Sequence, residues 1–190
     1  MAKKKKQSLA ALYIILFVVA VTILLVRHFH IKNFHIIEPE VLYVSGQPRG
    51  MDYNRLLYRY HIATIINVRS PAEHRDKNWY NEEITWVRSN GVKYIEMPIE
   101  KGDYFPTAET QDQFLAIMAD RNNLPVLVHG SSGKRRVAML AAVWLRKVQK
   151  YSFEETAKVI EEINDDLKIT EAEKDFIEQL ANGVSRPQAD

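Results

Sequence analysis

From about residue 41 onward, apolar and polar positions alternate in a way that predicts short strands separated by helices. Four short apolar runs, most of them rich in β-branched residues, predict buried strands. They are Val41–Val44, Ile62–Val68, Val92–Met97 and Pro125–His129. Longer segments with apolar residues at helical spacing lie between and after these runs. The helices that they predict are Asp52–Tyr60, Asn78–Asn90, Thr107–Asn122 and Arg136–Lys150.

Two further helices are marked by capping boxes at their starts. Ser152 precedes Glu155 by three residues, and Thr170 precedes Glu173 by the same spacing. In such a box the hydroxyl and the carboxylate each satisfy a backbone N–H of the first turn. The alternation of strands and helices predicts one α/β domain with a central, mostly parallel sheet flanked by helices.

The start of the chain departs from this pattern. Residues 9–26 read LAALYIILFVVAVTILLV, which is 18 residues without a charge, a glycine or a proline. A helix of that length spans about 27 Å, close to the hydrocarbon thickness of a bilayer. We expect a transmembrane signal anchor and not a cleaved signal peptide, because residues 27–30 (RHFH) offer no small-residue cleavage site. A buried core helix fits less well because the run has no polar face.

The charges around this run predict an orientation. The four lysines at positions 3–6 place the N-terminus in the cytoplasm and the body across the membrane, which is the periplasm if the protein is bacterial. The chain then consists of a basic segment, an anchor, a juxtamembrane linker, a domain and a flexible tail. Their predicted bounds are 1–8, 9–26, 27–40, 41–182 and 183–190. The linker histidines are interpreted as interfacial residues, so that no metal site is expected; they are His28, His30 and His35.

Composition narrows the classes of function. None of the 190 residues is a cysteine, which excludes a disulfide framework, thiolate-ligated zinc, an iron–sulfur cluster and a thiol nucleophile. Six of the 26 lysines and arginines lie in the first 32 residues, so the rest of the chain carries 20 cationic and 24 acidic side chains. An acidic body argues against a nucleic-acid partner.

The segment after the last of the four predicted strands has the pattern of an anion-binding loop. Residues 129–136 read HGSSGKRR, and an apolar helix follows. A strand, a tight loop of glycine and serine, and a helix N-terminus together direct backbone N–H groups and a partial positive charge at an anion. The loop is too short for a Walker A motif, and no serine has glycines two residues away on both sides, as a nucleophile elbow requires.

This loop resembles the HCxxGxxR signature of the cysteine-dependent tyrosine and dual-specificity phosphatases, with Gly130 in place of the cysteine. Three other segments resemble those of atypical dual-specificity phosphatases, in the same order along the chain. They are Tyr43–Pro48 (YVSGQP), Ile65–Arg69 (IINVR) and Gly91–Pro98 (GVKYIEMP). The resemblance covers about residues 41–149 and implies the α/β fold of that superfamily.

The resemblance also implies roles for individual residues. The loop would cradle a phosphoryl group, and Arg136 would bind it and stabilise its transfer. His129 would help to hold the loop, a role compatible with a structural histidine at a strand end. Asp103 is the candidate general acid and Glu100 the alternative, while a solvated turn carboxylate is the competing interpretation of Asp103. The implied phosphate-binding residues are Ser131, Ser132, Gly133, Lys134, Arg135 and Arg136.

The expected ligand is a phosphate monoester on a phosphoprotein, a phosphoinositide or a phospholipid, and no cofactor is expected. Family members that act on lipid or inositol phosphates often carry lysine within the loop, so Lys134 favours lipid or polyphosphorylated substrates. Arg135 either adds to this positive charge or points to solvent from the first helical turn.

Two positions depart from the family. Gly130 has no side chain and cannot form the phosphocysteine intermediate. Val137 stands where a serine or threonine hydroxyl usually helps the thiolate to leave. The sequence therefore predicts a membrane-anchored domain that binds a phosphate monoester but is catalytically impaired, either a pseudophosphatase or an enzyme whose nucleophile has been deleted. An active phosphatase and a structural subunit of a membrane complex are the alternatives.

Overall fold

The computed structural model describes residues 11–22 and 30–182. Residues 11–22 form helix α1, and a separate compact domain begins at Ile31. The predicted segments 1–8 and 183–190 lie outside the described residues, as do parts of the predicted anchor and linker. Within the two described ranges, no helix has both the length and the apolar character needed to cross a membrane.

The domain is built from strands and helices in alternation. Its strands are β1 (His35–Glu38), β2 (Leu42–Ser45), β3 (Thr64–Asn67), β4 (Lys93–Glu96) and β5 (Val126–His129). Its helices are α2 (Asp52–Tyr58), α3 (Pro71–His74), α4 (Asn78–Asn90), α5 (Ala108–Ala119), α6 (Arg135–Lys147), α7 (Phe153–Ile163) and α8 (Glu171–Asn182), with a 3-10 turn at Arg121–Asn123.

The strands form one mixed sheet in the order β1-β2-β5-β3-β4. The pairs β2–β5, β5–β3 and β3–β4 are parallel, whereas β1 pairs with β2 in the antiparallel direction. The predicted α/β fold with flanking helices and a mostly parallel sheet is confirmed. β1 lies within the segment expected to be a linker, so the compact domain includes residues 31–40 as well as the predicted 41–182.

Side chains of the central strands alternate between two hydrophobic cores. Val126 and Val128 of β5 face the core that includes α6, while Leu127 faces the core that includes residues of α2 and α4. Residues 137–145 of α6 are all buried, which makes this helix the centre of the first core. Because both faces of the sheet are covered, the inner strands appear in the sequence as nearly continuous apolar runs.

Both predicted capping boxes are present. The Ser152 hydroxyl accepts a hydrogen bond from the Glu155 N–H at 3.1 Å, and the Glu155 carboxylate accepts one from the Ser152 N–H at 2.7 Å. At the start of α8 the corresponding distances between Thr170 and Glu173 are 3.3 Å and 2.7 Å.

The carboxyl ends of the three inner strands meet at one edge of the sheet. Ser45 of β2 and Asn67 of β3 each pair in register with His129 of β5. Loops that follow parallel strands converge at such an edge, which is where α/β proteins place their ligand sites. The predicted anion-binding loop starts directly after His129 at this edge.

Candidate functional site

The loop between β5 and α6 passes very close to the chain that follows β2, and Gly133 makes this approach possible. Its φ of 76° lies in the left-handed region, and a Cβ atom there would lie 2.2 Å from the Gly46 backbone nitrogen. No side chain could be accommodated at that distance. The second glycine of the predicted motif is therefore required by the geometry of the loop.

After Gly130, the backbone N–H groups of the loop have no protein acceptor within the described residues. Within the described part of the chain, none of the N–H groups of residues 131–136 donates a hydrogen bond to another protein group. By contrast, the carbonyl oxygens of Ser131 and Gly133 accept hydrogen bonds from neighbouring segments. This arrangement, at the N-terminus of the 13-residue helix α6, is suited to binding an anion.

The backbone at position 130 does not require glycine. Its φ lies outside the left-handed region, and a Cβ atom there would lie 3.3 Å from the Val68 Cγ2 atom and 3.7 Å from the Val137 Cγ1 atom. A small displacement of the Val68 methyl group would make room for a side chain at position 130. Its N–H donates to the Ser45 carbonyl at 3.2 Å, which places the residue at the base of the loop. The position assigned by resemblance to the nucleophile thus has room for a side chain and carries none.

Arg136 is held by the carboxylate of Glu73, which lies outside the four motif segments. Its two terminal nitrogens bind both oxygens of Glu73, at 2.5 Å (Nη1–Oε2) and 3.0 Å (Nη2–Oε1). Nη1 also lies 3.3 Å from the Val68 carbonyl oxygen and 3.2 Å from that of Ile99. The guanidinium group is therefore held in place by Glu73 and by carbonyl groups of the segments that follow β3 and β4.

The environment of Glu73 keeps it ionised. Burial alone would raise the pKa of its carboxyl, but hydrogen bonds from Arg136 and the Ser70 N–H, with the charges of Arg136 and Arg69, lower the pKa to about 2. Glu73 also closes the capping box of α3 with Ser70. The spacing Ser70-x-x-Glu73 is the sequence signal that would have drawn attention to this residue.

Beneath the loop, His129 and Glu83 are both fully buried, and His129 Nε2 lies 3.2 Å from Glu83 Oε1. The Glu83 carboxylate also accepts hydrogen bonds from Gln47 Nε2 at 3.1 Å and from the hydroxyls of Tyr94 and Tyr53 at 3.0 Å and 3.5 Å. Burial and the charge of Glu83 raise the pKa of both tyrosines far above the ordinary value, so both stay protonated and able to donate.

This buried network connects all four of the segments that carry the family resemblance. Gln47 belongs to YVSGQP, His129 to HGSSGKRR and Tyr94 to GVKYIEMP. Asn67 of IINVR joins by donating to the Tyr94 hydroxyl at 2.8 Å. The shared carboxylate is Glu83 of α4, which belongs to none of the four motifs. Its position four residues before the buried Val87, on the same helical face, is the only sequence signal of its burial.

A cavity of about 420 Å³ opens above the loop. Its walls come from the loop itself, from the segment between β4 and α5, and from the segment between α7 and α8. The lining residues include the following: Lys101, Tyr104, Ser131, Ser132, Lys134, Arg135, Arg136, Asn164, Leu167, Lys168 and Glu173. The cavity therefore has five cationic side chains in its walls.

Most of these cations are already engaged. Lys134 forms an ion pair with Asp165, and Lys168 forms one with Glu161 at 2.9 Å. Arg135 donates to the Tyr104 hydroxyl at 3.0 Å and lies 5.0 Å from the centre of that ring. Arg135 therefore lies over the segment between β4 and α5 and does not extend freely into solvent.

The two predicted general acids do not line the cavity, unlike most of the predicted loop residues. Asp103 and Glu100 are both exposed in the segment between β4 and α5, and neither is among the residues that form the cavity wall. Their neighbours Lys101 and Tyr104 do line the cavity. The structure places Ser131, Ser132, Lys134, Arg135 and Arg136 together in the cavity wall, and the roles of these residues and of Asp103 stay predictions.

Nothing in the described ranges forms a group of three or more histidine, aspartate or glutamate side chains that could hold a metal ion. Of the linker histidines, His28 lies outside those ranges. His35 is partly buried in β1, where burial lowers its pKa and the charges of Glu162 and Asp165 oppose that shift.

The fold and the loop define a domain of the dual-specificity protein tyrosine phosphatase class. A family model described as "DSP-PTPase phosphatase fused to NAD+ Kinase" matches residues 33–179. The chain belongs to this family, and the superfamily expected from the sequence is confirmed.

Individual relatives agree with this assignment. The tyrosine-protein phosphatase-like protein OCA2 of Saccharomyces cerevisiae is 29% identical over 112 residues, which are 58% of this chain and 54% of OCA2. The chain thus spans about half the length of that relative. Inositol diphosphatase DSP3 of Arabidopsis thaliana is 29% identical over 152 residues, which are 77% of this chain and 69% of DSP3.

A solved structure shows the same fold. The core catalytic domain of the PP-IP phosphatase SIW14 from S. cerevisiae, in complex with citrate, superimposes with a TM-score of 0.63 and 22% sequence identity. The match covers 77% of this chain and 84% of the SIW14 domain. At this identity the likeness shows the fold alone.

Proposed function

We propose that this chain binds a phosphate monoester in the loop of residues 129–136 and does not turn it over efficiently. The observation that carries the proposal is a phosphate cradle with Arg136 in place around a position, Gly130, that has no nucleophile. The unpaired N–H groups of residues 131–136 would bind the phosphoryl oxygens. Arg136 would donate to these oxygens from its Nε and from the second hydrogen of Nη2, which Glu73 does not use.

The missing step is the formation of the covalent intermediate. Family enzymes attack phosphorus with a cysteine thiolate, and Gly130 offers no atom for that attack. Ser131 and Ser132 are exposed in the loop, and neither has a histidine or carboxylate partner within the described residues. Neither hydroxyl therefore has a base to activate it.

The walls of the cavity support a ligand with more than one phosphate. Lys101 and Arg135 line the cavity in addition to Arg136 and form no ion pair within the described residues, so they would bind a second phosphate. The names of two relatives, inositol diphosphatase DSP3 and the PP-IP phosphatase SIW14, agree with such a ligand. We therefore propose an inositol phosphate or phosphoinositide as the ligand class, ahead of a phosphoprotein.

The test is oxyanion binding by the full-length chain. Inorganic phosphate, sulfate and vanadate should each raise the melting temperature, and inositol hexakisphosphate should do so at lower concentration. Arg136→Ala should abolish these shifts. Arg121→Ala is the matched control because Arg121 is an exposed arginine outside the cavity. The absence of any shift for the unmodified chain with every oxyanion would overturn the proposal.

An active phosphatase is the second candidate, favoured by the phosphate loop and Arg136 being in place and by the room for a side chain at position 130. Steady hydrolysis of p-nitrophenyl phosphate by the unmodified chain, lost in Asp103→Ala, would establish it. Gly130→Cys separates the possibilities, because the loop has room for the Cβ atom. Turnover that appears only in Gly130→Cys identifies a nucleophile-deleted site that is otherwise intact, whereas its absence points to a binding module.

We also propose that residues 9–26 anchor the chain in a membrane, with the N-terminus in the cytoplasm and the domain on the other side. The uninterrupted apolar run of residues 9–26 and the lysines at positions 3–6 support this proposal.

A further inference from the structure

The segment that enters the domain, residues 31–34, lies against the phosphate loop and is firmly packed there. Ile31 is buried in the same core as Tyr43 and Leu127. Phe34 stacks on Tyr43 with 5.7 Å between ring centres and lies 4.5 Å from the ring centre of Tyr60. Between these two anchoring residues, Lys32 and Asn33 reach the loop.

Lys32 binds the loop with its side chain and the neighbouring segment with its backbone. Its Nζ donates to the Ser131 carbonyl at 3.0 Å, and its own carbonyl accepts from the Gly46 N–H at 2.7 Å. The lysine stem also lies against Gly46, since a Cβ atom on Gly46 would come within 2.9 Å of Lys32 Cδ.

Asn33 bridges the loop and helix α7. Its Nδ2 donates to the carbonyl of Gly133 and, at 2.9 Å, to the carbonyl of Ile163. Its Oδ1 lies 3.2 Å from His35 Nε2, which fixes the orientation of the amide. The residue has a φ of 45°, a left-handed conformation that asparagine tolerates better than most residues.

These contacts bear on the direction of the peptide groups in the loop. A peptide unit is planar, so its carbonyl and the next N–H point to opposite sides. The carbonyls bound by Lys32 and Asn33 precede the N–H groups of Ser132 and Lys134. Donors that hold these carbonyls on the protein side therefore keep these N–H groups on the cavity side, where an anion would bind.

We propose that Lys32 and Asn33 are positioning residues of the phosphate loop, so that the segment leading into the domain is part of the anion site and not a passive linker. The inference rests on the proposed binding of phosphate at residues 129–136. It assigns part of the preorganisation of the cradle to two side chains that lie about 100 residues before it in the chain. The Gln47 N–H, 3.5 Å from the Ser131 carbonyl oxygen, is a further donor to the loop.

The experiment compares Asn33→Gly with Glu40→Gly in the full-length chain solubilised in detergent. Glycine keeps the left-handed backbone at either position without strain, and Glu40, at φ 61°, has no hydrogen bond to the loop. Asn33→Gly should weaken vanadate binding by about tenfold, the equivalent of one or two lost hydrogen bonds. Glu40→Gly should leave the vanadate affinity within about twofold of the unmodified chain.

Lys32 is tested by a conservative and a non-conservative change. Lys32→Arg keeps a donor for the Ser131 carbonyl and should retain the vanadate affinity. Lys32→Met keeps much of the stem that packs on Gly46 but has no donor, and should weaken vanadate binding severalfold. A merely structural role for the stem would give equal affinities in the two variants, and that result would overturn the assignment of Lys32.

A second measurement separates this inference from the proposed function. The backbone amide NMR signals of residues 130–136 report the loop conformation without any ligand. They should move in Asn33→Gly and stay in place in Glu40→Gly. If the unmodified chain binds no oxyanion, the proposed function fails while these signals still test the positioning role. Unchanged loop signals together with unchanged vanadate affinity in Asn33→Gly would overturn the inference.

Discussion

Gly130 and Gly133 lie three residues apart in one loop, yet their environments differ. A Cβ atom on Gly133 would meet the backbone of Gly46 at 2.2 Å, and its φ is 76°. A Cβ atom on Gly130 would meet only methyl groups, the nearest at 3.3 Å. Gly130 therefore affects the chemistry of the loop, because it leaves the loop without a nucleophile. Gly133 is required by the geometry of the backbone.

Alanine substitutions should separate the two glycines. We predict that Gly133→Ala lowers the free energy of unfolding by about 3 kcal/mol or more, because a left-handed alanine is strained and a backbone clash cannot be relieved by a side-chain rotation. Gly130→Ala should change it by less than about 1 kcal/mol. Urea denaturation of both variants measures the difference, and equal losses would contradict the close approach at Gly46.

Glu73 makes the free energy of unfolding depend on pH. Its pKa falls from 4.5 to about 2 in the folded protein, so its contribution to stability is fully present above pH 4.5. That contribution is lost as the pH falls from about 4.5 towards about 2.

The prediction for Glu73 is tested with Glu73→Gln, which cannot titrate. The unmodified chain should lose more unfolding free energy than Glu73→Gln between pH 5 and pH 2, measured by urea denaturation at each pH. Identical pH profiles would show that the Arg136–Glu73 ion pair adds nothing to folding.

At the scale of secondary-structure elements, helix α4 has a structural role that its sequence pattern does not specify. It contributes Glu83 to the interior of the domain, where the carboxylate contacts residues in or close to β2, β4 and β5. The adjacent Glu82 is exposed on the same helix. Two neighbouring glutamates of one helix thus provide a matched comparison between a buried and a solvated carboxylate.

We predict that Glu83→Leu lowers the free energy of unfolding by about 3 kcal/mol or more, because it leaves the buried partners of the carboxylate without an acceptor. Glu82→Leu should change it by no more than about 0.5 kcal/mol. Glu83→Gln should fall between the two, since an amide oxygen still accepts from Tyr94 or Gln47. If Glu83→Leu is as stable as Glu82→Leu, the buried network does not hold the elements together.

The elements themselves differ in how well the sequence predicts them. β2, β3 and β5 were predictable because both of their faces are buried, which produces continuous apolar runs. β1 was not, since HIIE is a half-exposed edge strand in a segment that resembles a linker. The sequence does not predict α3, because four residues that begin with Pro71 show no helical periodicity. Loop residues 129–136 are predicted from their motif, whereas the roles of Glu73 and Glu83 depend on tertiary contacts that the capping-box spacing and the helical spacing do not specify.

At the scale of the whole molecule, charge is divided unevenly. The first 32 residues carry six cations and no acid, while the remaining chain carries four more acids than cations. We predict that the full chain stays in the membrane fraction after alkaline carbonate extraction and that deletion of residues 1–26 releases it. Deletion of residues 183–190 is the control and should release nothing. Extraction of the full-length chain by carbonate would contradict the anchor at residues 9–26.

The single carboxylate of Glu83 has an evolutionary consequence. It joins Gln47, Tyr53, Tyr94 and His129, which come from four separate parts of the chain, so a change at position 83 alters the environment of all of them at once. Family members that lack an acid at this position should therefore have compensating substitutions at several of these positions. Covariation between positions 83 and 129 across the family would be the evolutionary sign of this shared carboxylate, whatever residue stands at position 130.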